Sequence, residues 1–309
     1  MSDLLNVSSG PHVRSKYTTA KIMAIVLLAL MPAAGYGIYH FGVNAAILIV
    51  VSIVTCVLTE LVYELVTKQD ITVFDLSAAV TGLLLGLNMP PTADWWLPVI
   101  GGIFAIVFVK MLFGGLGQNF MNPALGGRCF LVICFAARMT NFNYDGVTSA
   151  TPLMLLKTGN AVNVRDMIFG NIPGTIGETS VIAIVAGACL MLCFGIIDLR
   201  IPASYLISFV IFMGLFSGRG WDIPYLTAQL AGGGLMLGAF FMATDYATCP
   251  ITNNGRILYG ICLGLMTGVF RCFSSTAEGV SFAILFCNLL VPLIEKLTLP
   301  KCFGKGGEI

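Results

Sequence analysis

The run Gly42–Val66, GVNAAILIVVSIVTCVLTELVYELV, decides the fold class. Its first charged residue is Glu60, so the eighteen residues before it carry no charge at all. As a helix the 25 residues would be about 37 Å long, enough to cross the roughly 30 Å hydrocarbon core of a bilayer. Runs of this kind recur along the whole chain: 57% of its 309 residues are hydrophobic and only 10% are charged. In lipid every backbone amide must be satisfied internally, so apolar runs of this length fold as helices. The expected class is an all-α polytopic membrane protein. A formal net charge of +1 gives no reason to expect a nucleic-acid partner or a steering field.

About ten transmembrane helices fit the pattern, at residues 21–40, 42–66, 75–88, 97–113, 124–138, 180–197, 202–217, 226–244, 257–272 and 279–297. They divide the chain into an N-terminal segment (1–20), a first membrane half (21–138), a long loop (139–178), a second membrane half (179–297) and a tail (298–309). The polar start has no small-residue cleavage site after its first apolar stretch, so the expectation is a retained helix and not a removable signal. One set of loops collects His12, Arg14, Lys16, Lys21, Lys68, Lys110, Arg200, Arg256, Lys296, Lys301 and Lys305. The other holds His40, Arg138, Lys157, Arg165, Arg219 and Arg271, with Trp95, Trp96 and Trp221 as interfacial anchors. The first set is richer in Lys/Arg, which predicts a cell-membrane protein with both termini cytoplasmic and the 139–178 loop outside.

Several spans are broken. Ala78–Leu87 runs into Asn88-Met89-Pro90-Pro91, and Phe113 into Gly114-Gly115-Leu116-Gly117-Gln118-Asn119. Such backbone must be buried in protein or line a polar cavity. Small-xxx-small spacing at Gly82/Gly86, Gly234/Gly238 and Gly260/Gly264/Gly268 predicts close helix contacts. Asn122-Pro123…Gly127-Arg128 and Cys249-Pro250…Gly255-Arg256 suggest an internal repeat with similar spacing. The ten cysteines include no CxxC pair and no four-residue set for a cluster, so buried free thiols are expected.

Within the long loop lies Asp145-Gly146-Val147-Thr148-Ser149-Ala150-Thr151-Pro152-Leu153. Proline biases Thr151 toward extended backbone, which leaves its hydroxyl presentable. Ser149 and Ala150 are small enough to admit a bulky modifying enzyme, and Asp145 could position metal or substrate during transfer. The same residues could equally form a plain loop leading into Leu153–Leu156.

This nonapeptide resembles the acceptor of a flavin transferase, which joins FMN to a threonine hydroxyl through its phosphate. Together with Gly114–Arg128, Met242–Arg256 and the ten-span layout, it makes the chain resemble the D subunit of Rnf-type electron-transport complexes. It is similar, by extension, to the B subunit of sodium-pumping NADH:quinone reductases. Ser149 stands where the family pattern often has glycine. The start of the chain shows no long N-terminal extension, which favours the Rnf relative. The resemblance implies covalent FMN on Thr151 and a second, non-covalent flavin such as riboflavin deeper in the membrane. It also implies the flavinylated G subunit, the A and E membrane subunits, the C subunit and the flavin transferase as partners.

Charges at span edges complete the candidates: Glu60, Glu64, Arg128, Asp245 and Arg256, each costly in lipid unless paired or hydrated. Asp245 could contact a transported cation, cap the next segment or pair with Arg256. Arg128 and Arg256 could neutralise a flavin phosphate or an anionic flavin, or hold helix ends. Lys110 reads as a snorkelling residue. No GxGxxG follows a strand, so the NAD chemistry of the implied ferredoxin:NAD+ oxidoreductase would lie on another subunit. The redox reading competes with two others, a solute channel or secondary transporter with a midplane site, and a structural scaffold.

Overall fold

The computed structural model describes residues 17–144, 147–148, 151–159, 162–274 and 279–300. Helices follow in the order α1 Thr19–Phe41, α2 Val43–Thr67, α3 Ser77–Leu87, α4 Trp96–Phe104, α5 Pro123–Cys134 and α6 Ala136–Met139. Next come α7 Pro152–Lys157, α8 Val164–Phe169, α9 Val181–Cys193 and α10 Arg200–Phe216. The last are α11 Ile223–Ala231, α12 Leu235–Leu237, α13 Asn253–Phe273 and α14 Val280–Thr298. Between α6 and α7, Asn143–Tyr144 and Val147–Thr148 pair antiparallel as a minimal hairpin, the one departure from all-α among the described residues.

Each expected span meets a helical segment, but the segments differ in length. Among the described residues, five segments can cross a membrane by length and apolarity: α1, α2, the continuous Trp96–Phe113, α13 and α14. A sixth arises if α11 and Leu235–Met242 count as one span, bent by 62°. The others, α3, α5, α9 and α10, have 11, 12, 13 and 17 residues. At 1.5 Å per residue they reach only about 16 to 26 Å.

Helix α3 stops where another part of the chain satisfies its end. Carbonyls of Leu87 and Met89, at the end of α3 or just past it, accept from the backbone of Gly177 (2.7 Å) and Ile176 (3.1 Å). A turn before α9 thus finishes the hydrogen bonding of a helix about ninety residues earlier. That is how non-helical backbone survives at membrane depth.

The glycine spacings do what close packing requires. A Cβ on Gly82 would lie 2.6 Å from the Ile53 Cα, and one on Gly264 would lie 2.6 Å from the Tyr205 backbone oxygen. The first contact joins α3 to α2, the second α13 to α10. Gly234 differs: it adopts a left-handed φ of 66° at the bend between α11 and α12, against the Glu178 side chain.

The suggested repeat has a structural counterpart. Residues Ala105–Lys110 after α4 and Gly238–Met242 after α12 are both π-helical turns. After the first, a 3-10 turn (Met111–Phe113) precedes the break, and after the second the break comes at once; a capped helix start follows both. Asn122 caps α5 through Ala124 and Leu125, and Thr252 caps α13 through Gly255. Inserted π turns of this kind widen a helix locally and recur at functional sites.

Candidate functional site

Thr151 is the residue immediately before α7, with φ −58° and ψ 150°, the extended backbone expected before a proline. Its carbonyl accepts from Leu155 (3.1 Å), while its hydroxyl makes no capping hydrogen bond. The side chain is half-buried and Pro152, Leu153 and Leu156 are buried beside it. Asp145, Ser149 and Ala150 lie outside the described residues. The far end of α7 is tied down: Lys157 donates to the Ser274 carbonyl at the end of α13. Arg219, in the turn between α10 and α11, donates to the Leu156 carbonyl (3.4 Å).

The two breaks face each other across a cavity. Its wider part, about 620 Å3, runs between Thr19, Phe120, Pro292 and Glu295. A narrower part of about 70 Å3 continues to Ser77, Thr81, Lys110 and Asn122. Ile22, Met23, Leu116, Asn119, Asp245 and Tyr246 line both parts, so the two are one space. Asn122 also donates across it to the Met242 carbonyl (3.3 Å). The Asn119 side chain is 5% exposed and donates to the Met121 carbonyl, but its Oδ1 is buried with no hydrogen-bond partner among the described residues. An orphaned acceptor on a cavity wall fits a donor or a cation.

Asp245 is half-buried on this wall. Its carboxylate accepts from the Ala247 amide (3.5 Å) and the Thr248 hydroxyl (3.3 Å), so it caps its own turn. Arg256 is not its partner: that side chain donates to the Pro250 carbonyl (3.2 Å) and faces Asp198 at 3.8 Å.

Of the remaining charges, Arg128 and Glu60 are paired inside the bundle, while buried Glu64 accepts from the Thr72 amide (3.0 Å) and hydroxyl (2.5 Å). Arg128 donates to Glu178 (2.8 Å) and Asn88 (2.5 Å), so its guanidinium holds the end of α3 to the stretch before α9. Glu178 escapes a sequence reading because it looks like one more loop acid. A buried Arg128 demands a carboxylate, and that demand is the signal that could have found it. Lys110 corrects the snorkelling expectation. It is 2% exposed, with its ammonium 2.7 Å from Glu60 and 2.6 Å from the Ser77 hydroxyl. Its side chain lines the narrower part of the cavity. Arg271, grouped with the outer-loop cations, is buried as well, donating to Gln229 (3.1 Å) and the Gly232 carbonyl (2.8 Å).

Comparison with known proteins places this geometry in context. The family model described as "NQR2, RnfD, RnfE family" matches residues 6–304. The chain is 45% identical to the D component of the Na(+)-translocating ferredoxin:NAD(+) oxidoreductase complex of Acetobacterium woodii, over 97% of this chain and 95% of that one. It is 37% identical to the proton-translocating counterpart of Clostridium ljungdahlii, over 98% and 97%. With the D component of the ion-translocating oxidoreductase complex of Cronobacter sakazakii it shares 32%, over 97% and 99%.

Proposed function

The chain belongs to the NQR2, RnfD, RnfE family, and we propose that it is the D-type membrane subunit of an ion-translocating ferredoxin:NAD+ oxidoreductase. On this reading it carries electrons on an FMN joined through its phosphate to Thr151. The observation that carries the proposal is Thr151 itself. Its hydroxyl is not engaged in capping, it stands on extended backbone, and α7 behind it is anchored at its far end by Lys157 and Arg219. Bound FMN would supply the electron-carrying chemistry. The chain supplies the attachment oxygen and a fixed base for it.

The Lys/Arg asymmetry of the loops supports a cell-membrane location with both termini inside and Thr151 outside. Electrons then arrive from a flavinylated G subunit, and the A, E and C subunits complete the path. A flavin transferase attaches the FMN. The cavity suits a second, non-covalent flavin. Its volume lies in the range of small-molecule sites, and Asn119 Oδ1 offers an acceptor for a ring N–H. No Lys or Arg lines its wider part among the described residues, whereas Asp245 and Glu295 do. That electrostatics favours riboflavin, which lacks a phosphate, over FMN. Asp245 is also the residue proposed to contact the transported cation, since its carboxylate lines the cavity together with the orphaned Asn119 Oδ1.

A solute-transport reading draws on the same polar cavity between two broken helices. One experiment separates the two. The chain, produced alongside its transferase, is denatured and its visible absorption recorded. Flavin absorption that stays with the denatured chain and disappears in Thr151→Val supports the redox reading, with any released fraction being riboflavin. A denatured wild-type chain without flavin would sink it and leave transport standing.

A further inference from the structure

At the end of α7 away from Thr151, Leu156, Arg219, Asp222 and Tyr225 enclose a pocket of about 210 Å3. The Arg219 guanidinium donates to the Leu156 carbonyl (3.4 Å) and stands 5.0 Å from the centre of the Tyr225 ring. Tyr225 is half-buried in α11 and so offers a fixed aromatic face to an otherwise exposed cation. Leu156 lies five residues past Thr151, about 7.5 Å of helical rise. A ribityl chain hung from a phosphate on Thr151 can span that distance.

We propose that this pocket seats the pyrimidine edge of the flavin carried on Thr151, with Arg219 as its positioning residue. The inference rests on the Thr151 reading and adds to it the place of the ring. The pocket is too small for a whole flavin, but it takes one planar end. A planar guanidinium backed by an aromatic ring matches that end in shape and in hydrogen-bonding direction. When the ring takes two electrons from the upstream flavin carrier and one proton from water, it gains one negative charge, held on its pyrimidine edge. No bond to Thr151 is made or broken. A cation at that edge favours the reduced form. Of the other charged groups nearby, Asp222 is exposed on the rim, where solvent and salt screen it. Lys157 is turned toward the Ser274 carbonyl.

The test uses the full chain produced with its transferase, as wild type, Arg219→Gln and Arg219→Lys. Covalent flavin content and midpoint potential are measured by spectroelectrochemical titration. The expected result is equal flavin content in all three. In Arg219→Gln the equilibrium should shift about tenfold toward the oxidised ring, about 30 mV lower for a two-electron couple. Arg219→Lys should retain most of the wild-type value. Full flavin content with an unmoved potential in Arg219→Gln would overturn the seat while leaving attachment at Thr151 intact. Loss of flavin from Arg219→Gln alone would overturn it too, marking the residue as part of the acceptor for the transferase. A wild-type chain without covalent flavin would instead remove the reading on which the seat rests.

Discussion

Lys110 and Glu60 carry opposite charges, and each is almost fully buried. Such a pair gains little net stability from its own attraction, because both groups lost their water. Removing one partner is a different matter, since the other remains charged and dry. Lys110→Met should therefore cost about 3–5 kcal/mol, read as a lowered thermal midpoint in detergent. The double variant Glu60→Gln/Lys110→Met should recover most of that loss. A double variant no more stable than the single one would show that Glu60 does not hold the ammonium. At this scale the sequence displayed Glu60, Arg128 and Asp245 as intramembrane charges. It did not display their partners. Lys110 meets Glu60 fifty residues away, and Arg128 meets Glu178 at the same separation, and nothing local announces either pairing.

Helix contacts were more legible, because small residues at every fourth position mark a face whatever the partner. The Gly260/Gly264/Gly268 stripe of α13 does lie against α10, with backbone atoms of α10 in the way of a larger residue at Gly260 and Gly264. Gly264→Leu must push Tyr205 and Phe209 backbone aside and should cost at least the roughly 1–3 kcal/mol of an overpacked core. A Cβ on Gly35, in α1, would meet nothing within 4 Å, so Gly35→Ala should be neutral or stabilising by up to about 1 kcal/mol. Thermal midpoints of the two variants measure the contrast, and equal midpoints would contradict the packing. Helix lengths were not legible to the same degree. The run 75–88 reads as a span, yet α3 has only 11 residues, and nothing local shows that Ile176 and Gly177 reach the carbonyls at its end. Apolar periodicity registers what lipid tolerates, not which distant amide completes a hydrogen bond.

At the scale of the whole molecule, two π-helical turns, two breaks and two capped helix starts frame one cavity, while the loop between the halves presents Thr151 elsewhere. The repeat was visible as similar Asn-Pro and Cys-Pro spacing, but not the space it encloses: Asn119 and Asp245 converge only because the two breaks fold toward each other. The proposed acceptor, Thr151, is a local feature of the sequence, a hydroxyl directly before a proline. Its surroundings at Arg219 and Tyr225 come from a different part of the chain and were not legible. The central claim is that this family member carries FMN on Thr151. The most direct test is mass spectrometry of the proteolytic peptide containing Thr151, from the chain produced with a flavin transferase. The account predicts that peptide heavier by FMN less one water, with fragmentation placing the addition on Thr151. An unmodified Thr151 peptide, or FMN on another residue, would contradict it.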